Sequence, residues 1–106
     1  MTFYMKAVGV TFGDRQRAIS RLRVGQTLRF VPEPTNAYDS YAVKIETLDG
    51  VQVGYIAKEK NREIFLNIRN NTASYSVKVS SITGGGFDTA YGLNMEVTVT
   101  QNTRRW

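Results

Sequence analysis

Tyr38 and Asp39 stand side by side, after a stretch stiffened by Pro32 and Pro34 and just ahead of a run of alternating residues. A ring and a carboxylate on a loop held by rigid elements form a natural binding pair. Phe12, Tyr55, Phe87 and Tyr91 are further aromatics at strand ends or loops, and Lys44, Lys58, Arg15 and Arg29 are the cations nearest them along the chain. Aromatic faces that stack on bases, with cations that follow phosphates, are how single-stranded nucleic acid is held. The competing reading is structural: Asp39 turns the chain and Tyr38 packs on the edge of the core.

Other chemistries find little support. Cysteine and histidine are both absent from the 106 residues, which excludes disulfides, thiolate or imidazole metal sites, a cysteine nucleophile and a Ser-His pair. Asp39 with Lys44 could be called an acid and a base, but no nucleophile or metal cluster accompanies them. Gly84-Gly85-Gly86 lacks the Gly-Lys-Ser/Thr continuation of a phosphate loop. The expectation is a binding module without catalysis and without a cofactor.

The elements that must position these residues follow from periodicity. From Tyr41 the chain alternates, Tyr41, Val43 and Ile45 against Ala42, Lys44 and Glu46, as a half-buried strand does. Asp49-Gly50 then predicts a two-residue hairpin, closed at Leu48 and Val51. That register sets Glu46 opposite Val53, Ile45 opposite Gly54 and Lys44 opposite Tyr55. A loop one residue longer would turn one strand's side chains to the other face. Gly54 beside Ile45 marks a place where something bulky, or another backbone, comes close.

Upstream, residues 2–12 read as a long first strand covered on both faces, ended by Gly13-Asp14. Asp14 is the expected cap of a helix running to about Arg23, with Ala18, Ile19 and Leu22 on its apolar face and Arg17 and Arg21 together on the other. Thr27 to Val31 forms the second strand, with Leu28 and Phe30 inward. Downstream, Lys58 to Arg69 is a helix whose inner side carries Ala57, Asn61, Ile64 and Ile68, with Asn70-Asn71 at its end. Ser74 to Ser80 and Leu93 to Val99 are strands, joined by a glycine-rich connection expected to be mobile that carries Phe87 and Tyr91. Gln101 to Trp106 reads as a frayed tail.

The order is β-α-β-β-β-α-β-β. Hairpins make antiparallel neighbours, so the predicted architecture is mainly β with two helices, a small and partly open six-stranded barrel in one domain whose core spans about residues 3–100. The net charge is +5, and residues 1–32 hold six basic side chains against Asp14 alone. A basic pole fits an anionic partner, with a solvated face as the plain alternative. The N-terminal residues do not read as a signal peptide, and no apolar run reaches the length of a membrane span. A soluble, cytoplasmic chain is the expectation.

The run Asn36-Ala37-Tyr38-Asp39, then Ala42-Val43-Lys44-Ile45, then Gly50 and Val53-Gly54-Tyr55-Ile56, with Val8-Gly9-Val10-Thr11-Phe12 before it, resembles the HIRAN domain. The resemblance covers roughly residues 7–100. It implies an OB-like barrel that captures the free 3′ end of single-stranded DNA, and a helicase or nuclease as protein partner. Carried over by position, it implies Tyr38 as a stacking platform, Asp39 as acceptor for the terminal 3′-hydroxyl, Tyr55 and Lys58 near the strand end, and Phe12 as a second ring. A carboxylate repels phosphate, so it fits a hydroxyl donor at an end better than a continuous backbone. Thr11 stands where the DNA-binding eukaryotic members have an arginine and Phe12 where they have a tyrosine, leaving that phosphate contact to Arg15 or Lys6. The alternative is a protein-interaction or scaffold domain that keeps the fold without the DNA site.

Overall fold

The computed structural model describes residues 1–102. Its elements are β1 (Thr2–Lys6), α1 (Arg15–Ser20), β2 (Thr27–Pro32), β3 (Val43–Thr47), β4 (Gln52–Tyr55), α2 (Lys58–Arg69), β5 (Ala73–Thr83) and β6 (Gly92–Gln101). The predicted order holds. All six strands form one antiparallel sheet, β1-β6-β5-β2-β3-β4, curled into the partly open barrel expected from the hairpins, OB-like as the resemblance implies. Its inward positions are those that alternation predicts: Leu28 and Phe30, Val43 and Ile45, Val77 and Val79, and Leu93, Met95 and Val97 are all buried. Each such side chain contributes about 1.5–3 kcal/mol by leaving water. Among the described residues no helix is long and apolar enough to cross a membrane.

The first strand is shorter than residues 2–12. It leaves the sheet after Lys6, and Gly9 and Gly13, at φ of 65° and 56°, turn the chain. It is covered on one face only, since Tyr4 and Val8 are exposed while Met5 and Ala7 are buried. Between strand and turn the chain changes partner. Ala7 N–H donates to Leu93 of β6, whereas Val8 exchanges two 2.9 Å hydrogen bonds with Tyr55 of β4. That bridge joins the two ends of the sheet. Gly54 explains how they approach: a Cβ there would lie 2.9 Å from the Val8 carbonyl oxygen, so the neighbour expected from sequence is the backbone of Val8.

The first helix is also shorter than expected. Arg21 and Leu22 N–H groups bond three residues back, to Ala18 and Ile19, tightening the last turn, and Gly25 at φ 88° redirects the chain. Asp14 does not cap through its side chain. Six residues cannot hold a helix in water alone; Ile19, wholly buried, and Leu22 pin it to the barrel. The second helix agrees with its prediction at both ends, with Asn71 in the left-handed region at φ 55°. Of the tail, Gln101 closes β6 and Asn102 bonds to Asn71 and Thr72; Thr103 to Trp106 lie outside the described residues.

The central hairpin departs from prediction twice, and the departures cancel. Its loop has three residues, Leu48-Asp49-Gly50: Thr47 N–H bonds to Val51, Gly50 N–H to Thr47, and only Gly50 is left-handed, at 90°. That is the type I turn with a glycine bulge usual for three-residue loops. It pairs Glu46 with Gln52, but a bulge then inserts Val53 as an extra residue, and Ile45 and Lys44 still face Gly54 and Tyr55.

Glu46 turns out to be buried, at 6 % exposure. Antiparallel pairing sets Arg29 beside it, and its carboxylate takes bonds of 2.9 and 3.1 Å from Arg29 and 2.9 Å from the Lys44 ammonium. Burial pushes this carboxyl up, but the hydrogen bonds and charges of Lys44 and Arg29 outweigh it and hold it below its ordinary 4.5. A depressed carboxyl adds stability that is present above the unfolded-state value and lost as pH falls through the folded one. The melting temperature is therefore expected to decline below about pH 4.5, and Glu46→Gln to flatten that acid limb in a pH series of thermal melts.

Candidate nucleic-acid interface

The loop from Glu33 to Ala42 is built by local side chain to backbone bonds. Glu33 N–H to the Ala42 carbonyl, 2.8 Å, closes its base. Asn36 Oδ1 accepts the N–H groups of Tyr38 and Asp39, at 2.8 and 3.0 Å, and Asp39 Oδ1 accepts that of Tyr41 at 2.9 Å. Two successive turns of this kind leave the Tyr38 ring outside, 95 % exposed.

Asp39 does turn the chain, as the plain reading held, yet it is not consumed by doing so. Its Oδ2 takes one further bond, 2.8 Å from Asn61 Nδ2, and a carboxylate has about four acceptor sites. The Tyr41 N–H, then Asn61, then the charge of Lys58 hold its carboxyl below the usual range. It is thus an ionised acceptor at neutral pH with capacity to spare. Asn61, 4 % exposed, is the polar residue on the inner side of α2, and Asp39 is its partner.

A second clamp lies beneath the loop. Glu33 Oε1 accepts the Tyr55 hydroxyl and Asn36 Nδ2, both at 2.7 Å. Burial pushes this carboxyl up, while Asn36, Tyr55, Lys44 and Arg15 together bring it below 4.5. Glu33 fixes Asn36, which fixes the amides of Tyr38 and Asp39. Asn36→Ala is expected to cost about 1 kcal/mol and to speed amide hydrogen exchange at Tyr38 and Asp39, read by NMR.

The opposite wall comes from the turn after β1. Gly9, left-handed, offers its carbonyl to Arg15 Nη1 at 2.6 Å. The Arg15 guanidinium lies 5.1 Å from the Tyr55 ring centre and 5.8 Å from that of Phe12, an arrangement worth about 0.5–1 kcal/mol at an exposed site. Between the walls is a cleft of about 500 Å³. Tyr38, Asp39, Phe12, Tyr55, Lys58 and Arg15 all line it, with Val8, Ala42 and Ile56 as apolar floor.

Lys44 and Phe87 stand apart from that group. Lys44 does not line the cleft; its ammonium is held by Glu46, with Glu33 at 4.0 Å. Phe87, 95 % exposed, projects from the β5–β6 connection outside the lining. Tyr91, in the same connection, is half-buried against the core, and its ring occupies the space a side chain at Gly85 would need. Gln16 ties that connection down: its side chain bonds the Val10 and Tyr91 carbonyls at 2.9 and 3.1 Å and accepts the Tyr91 N–H at 2.8 Å. Of the two cations that could stand in beside Thr11, Arg15 lines the cleft and Lys6 does not. Asn61 carried a signal in sequence, a polar residue among apolar positions. Glu33 and Gln16 carried none, because Tyr55 and Tyr91, which give their bonds a role in the site, are distant along the chain.

A comparison with curated protein sequences returns no match. Among solved structures, the chain is similar to the HIRAN domain of human HLTF in a crystal structure, with 21 % identity and a TM-score of 0.73 over 92 % of this chain and 74 % of that one. An NMR structure of the HLTF HIRAN domain gives 20 % and 0.65, covering 95 % and 76 %. A protein from Lactobacillus plantarum gives 20 % and 0.62, covering 92 % and 98 %. These likenesses concern the fold. The family model described as the HIRAN domain matches residues 1–101, and with nearly the whole sequence so matched, this chain belongs to the HIRAN domain family.

Proposed function

We propose that the chain is a non-catalytic DNA-binding module that takes the 3′-hydroxyl end of a single strand into the cleft between Tyr38 and Phe12. The observation that carries this reading is the pairing of a fully presented ring with an ionised carboxylate that keeps acceptor sites free, at the mouth of an apolar cleft. The terminal base stacks on Tyr38, the last hydroxyl donates to Asp39, and Arg15 and Lys58 meet the phosphate behind it. Asp39 disfavours a phosphate in the hydroxyl's place, so the site selects an end. Phe87 adds a further ring on the connection that Gln16 holds beside the Val10 turn, and a helicase or nuclease would supply or consume the end.

Oligonucleotides of one sequence, ending in 3′-hydroxyl or 3′-phosphate, test this in a binding titration. A hydrogen bond to a charged group is worth about 1.5–3 kcal/mol, so the phosphorylated strand is expected to bind at least tenfold more weakly. Equal affinity for both removes end capture. No binding of either at low salt supports instead a protein-interaction domain.

A further inference from the structure

The cleft does not stop at Phe12. A second depression shares Phe12 and Arg15 with it and passes Gly13 to Asp14, Val51 and Gln52. A third shares Asp14 and Val51 with the second and is bordered by Arg17 and Arg21. The three make one open furrow along α1. On the cleft's other side the route is broken: Lys60 and Glu63 border a depression that has no residue in common with the cleft.

Charge on this furrow is unevenly satisfied. Among the described residues no carboxylate comes within 4.0 Å of Arg15, Arg17 or Arg21, whereas Arg29 and Lys44 are both paired. Arg17 and Arg21 are one turn apart, a repulsive spacing that a shared anion would relieve. Asp14 and Asp49 also border the furrow, the latter accepting the Thr47 hydroxyl, and these two carboxylates are outnumbered by the three arginines. From Arg15 to Ser20 the helix rises about 8 Å, with Arg21 just past its end, room for strand beyond the nucleotides in the cleft.

We propose that the furrow along α1 carries the single strand leading to the captured end, its phosphates passing Arg15, Arg17 and Arg21 in turn. The inference rests on the end-binding reading and adds a second contact zone, so affinity depends on strand length as well as on the end.

The test is a salt and length series with oligothymidylates of two to about ten nucleotides, on wild type, Arg17→Ala/Arg21→Ala and Arg17→Lys/Arg21→Lys. Wild type should bind longer strands more tightly and with a steeper salt dependence than the dinucleotide. The alanine pair should bind the dinucleotide as wild type does, and lose about 1.4 from the slope of log K against log salt for long strands, at 0.7 per phosphate contact. The lysine pair should restore most of that slope, and Asp14→Asn should tighten long strands alone. Affinity that does not change with length, or a long-strand slope unchanged in the alanine pair, overturns the furrow while leaving end capture standing. Long strands that respond to the alanine pair yet bind equally with 3′-hydroxyl or 3′-phosphate overturn end capture and leave the furrow. Thermal melts of all variants identify any loss that comes from unfolding.

Discussion

Tyr38→Ala is expected to weaken binding of a 3′-hydroxyl oligonucleotide about five- to 150-fold, because a base–aromatic stack is worth about 1–3 kcal/mol. The melting temperature should not move. The ring is 95 % exposed, and the loop beneath it is held through the Tyr38 backbone by Asn36, so truncation removes neither packing nor the turn. Tyr38→Phe keeps the face and should keep nearly all of the affinity. Fluorescence anisotropy alongside thermal melts separates the two readouts. Unchanged affinity in the alanine variant would mean that no base lies on this ring.

Gly54→Ala acts through the barrel and the cleft together. Replacing glycine in a strand interior ordinarily gains about 0.5–1 kcal/mol, which argues for a mild stabilisation. Here the new Cβ would stand 2.9 Å from the Val8 carbonyl oxygen and 3.3 Å from the Val10 side chain, and a backbone atom cannot rotate away. Overpacking of a buried site costs about 1–3 kcal/mol, so the clash decides the sign. The two bonds between Val8 and Tyr55 then stretch or break, and the wall carrying Phe12 and Arg15 moves away from Tyr55. The expected result is a melting temperature lower by several degrees, at about 4–8 °C per kcal/mol, with weaker oligonucleotide binding. Chemical denaturation and the same anisotropy titration measure both. A variant as stable as wild type would mean that the two ends of the sheet tolerate separation.

Residue patterns alone were enough to read α2, the inward faces of the strands, the order of elements and the loop that presents Tyr38 and Asp39. Each depends on neighbours within a few positions: alternation for strands, a 3.6-residue period for the helix, prolines and asparagines for the loop. The tertiary structure decided what depends on residues far apart. It ended β1 at Lys6 because Val8 found Tyr55, and it kept Lys44 opposite Tyr55 only because the bulge at Val53 offset a longer turn. It brought Arg29 of β2 against the Glu46 carboxylate, set Glu33 under the Tyr55 hydroxyl, and ran the cleft on into the furrow along α1. Periodicity states which way a side chain faces; which distant charge or backbone it meets there is fixed only when the sheet curls and its ends come together.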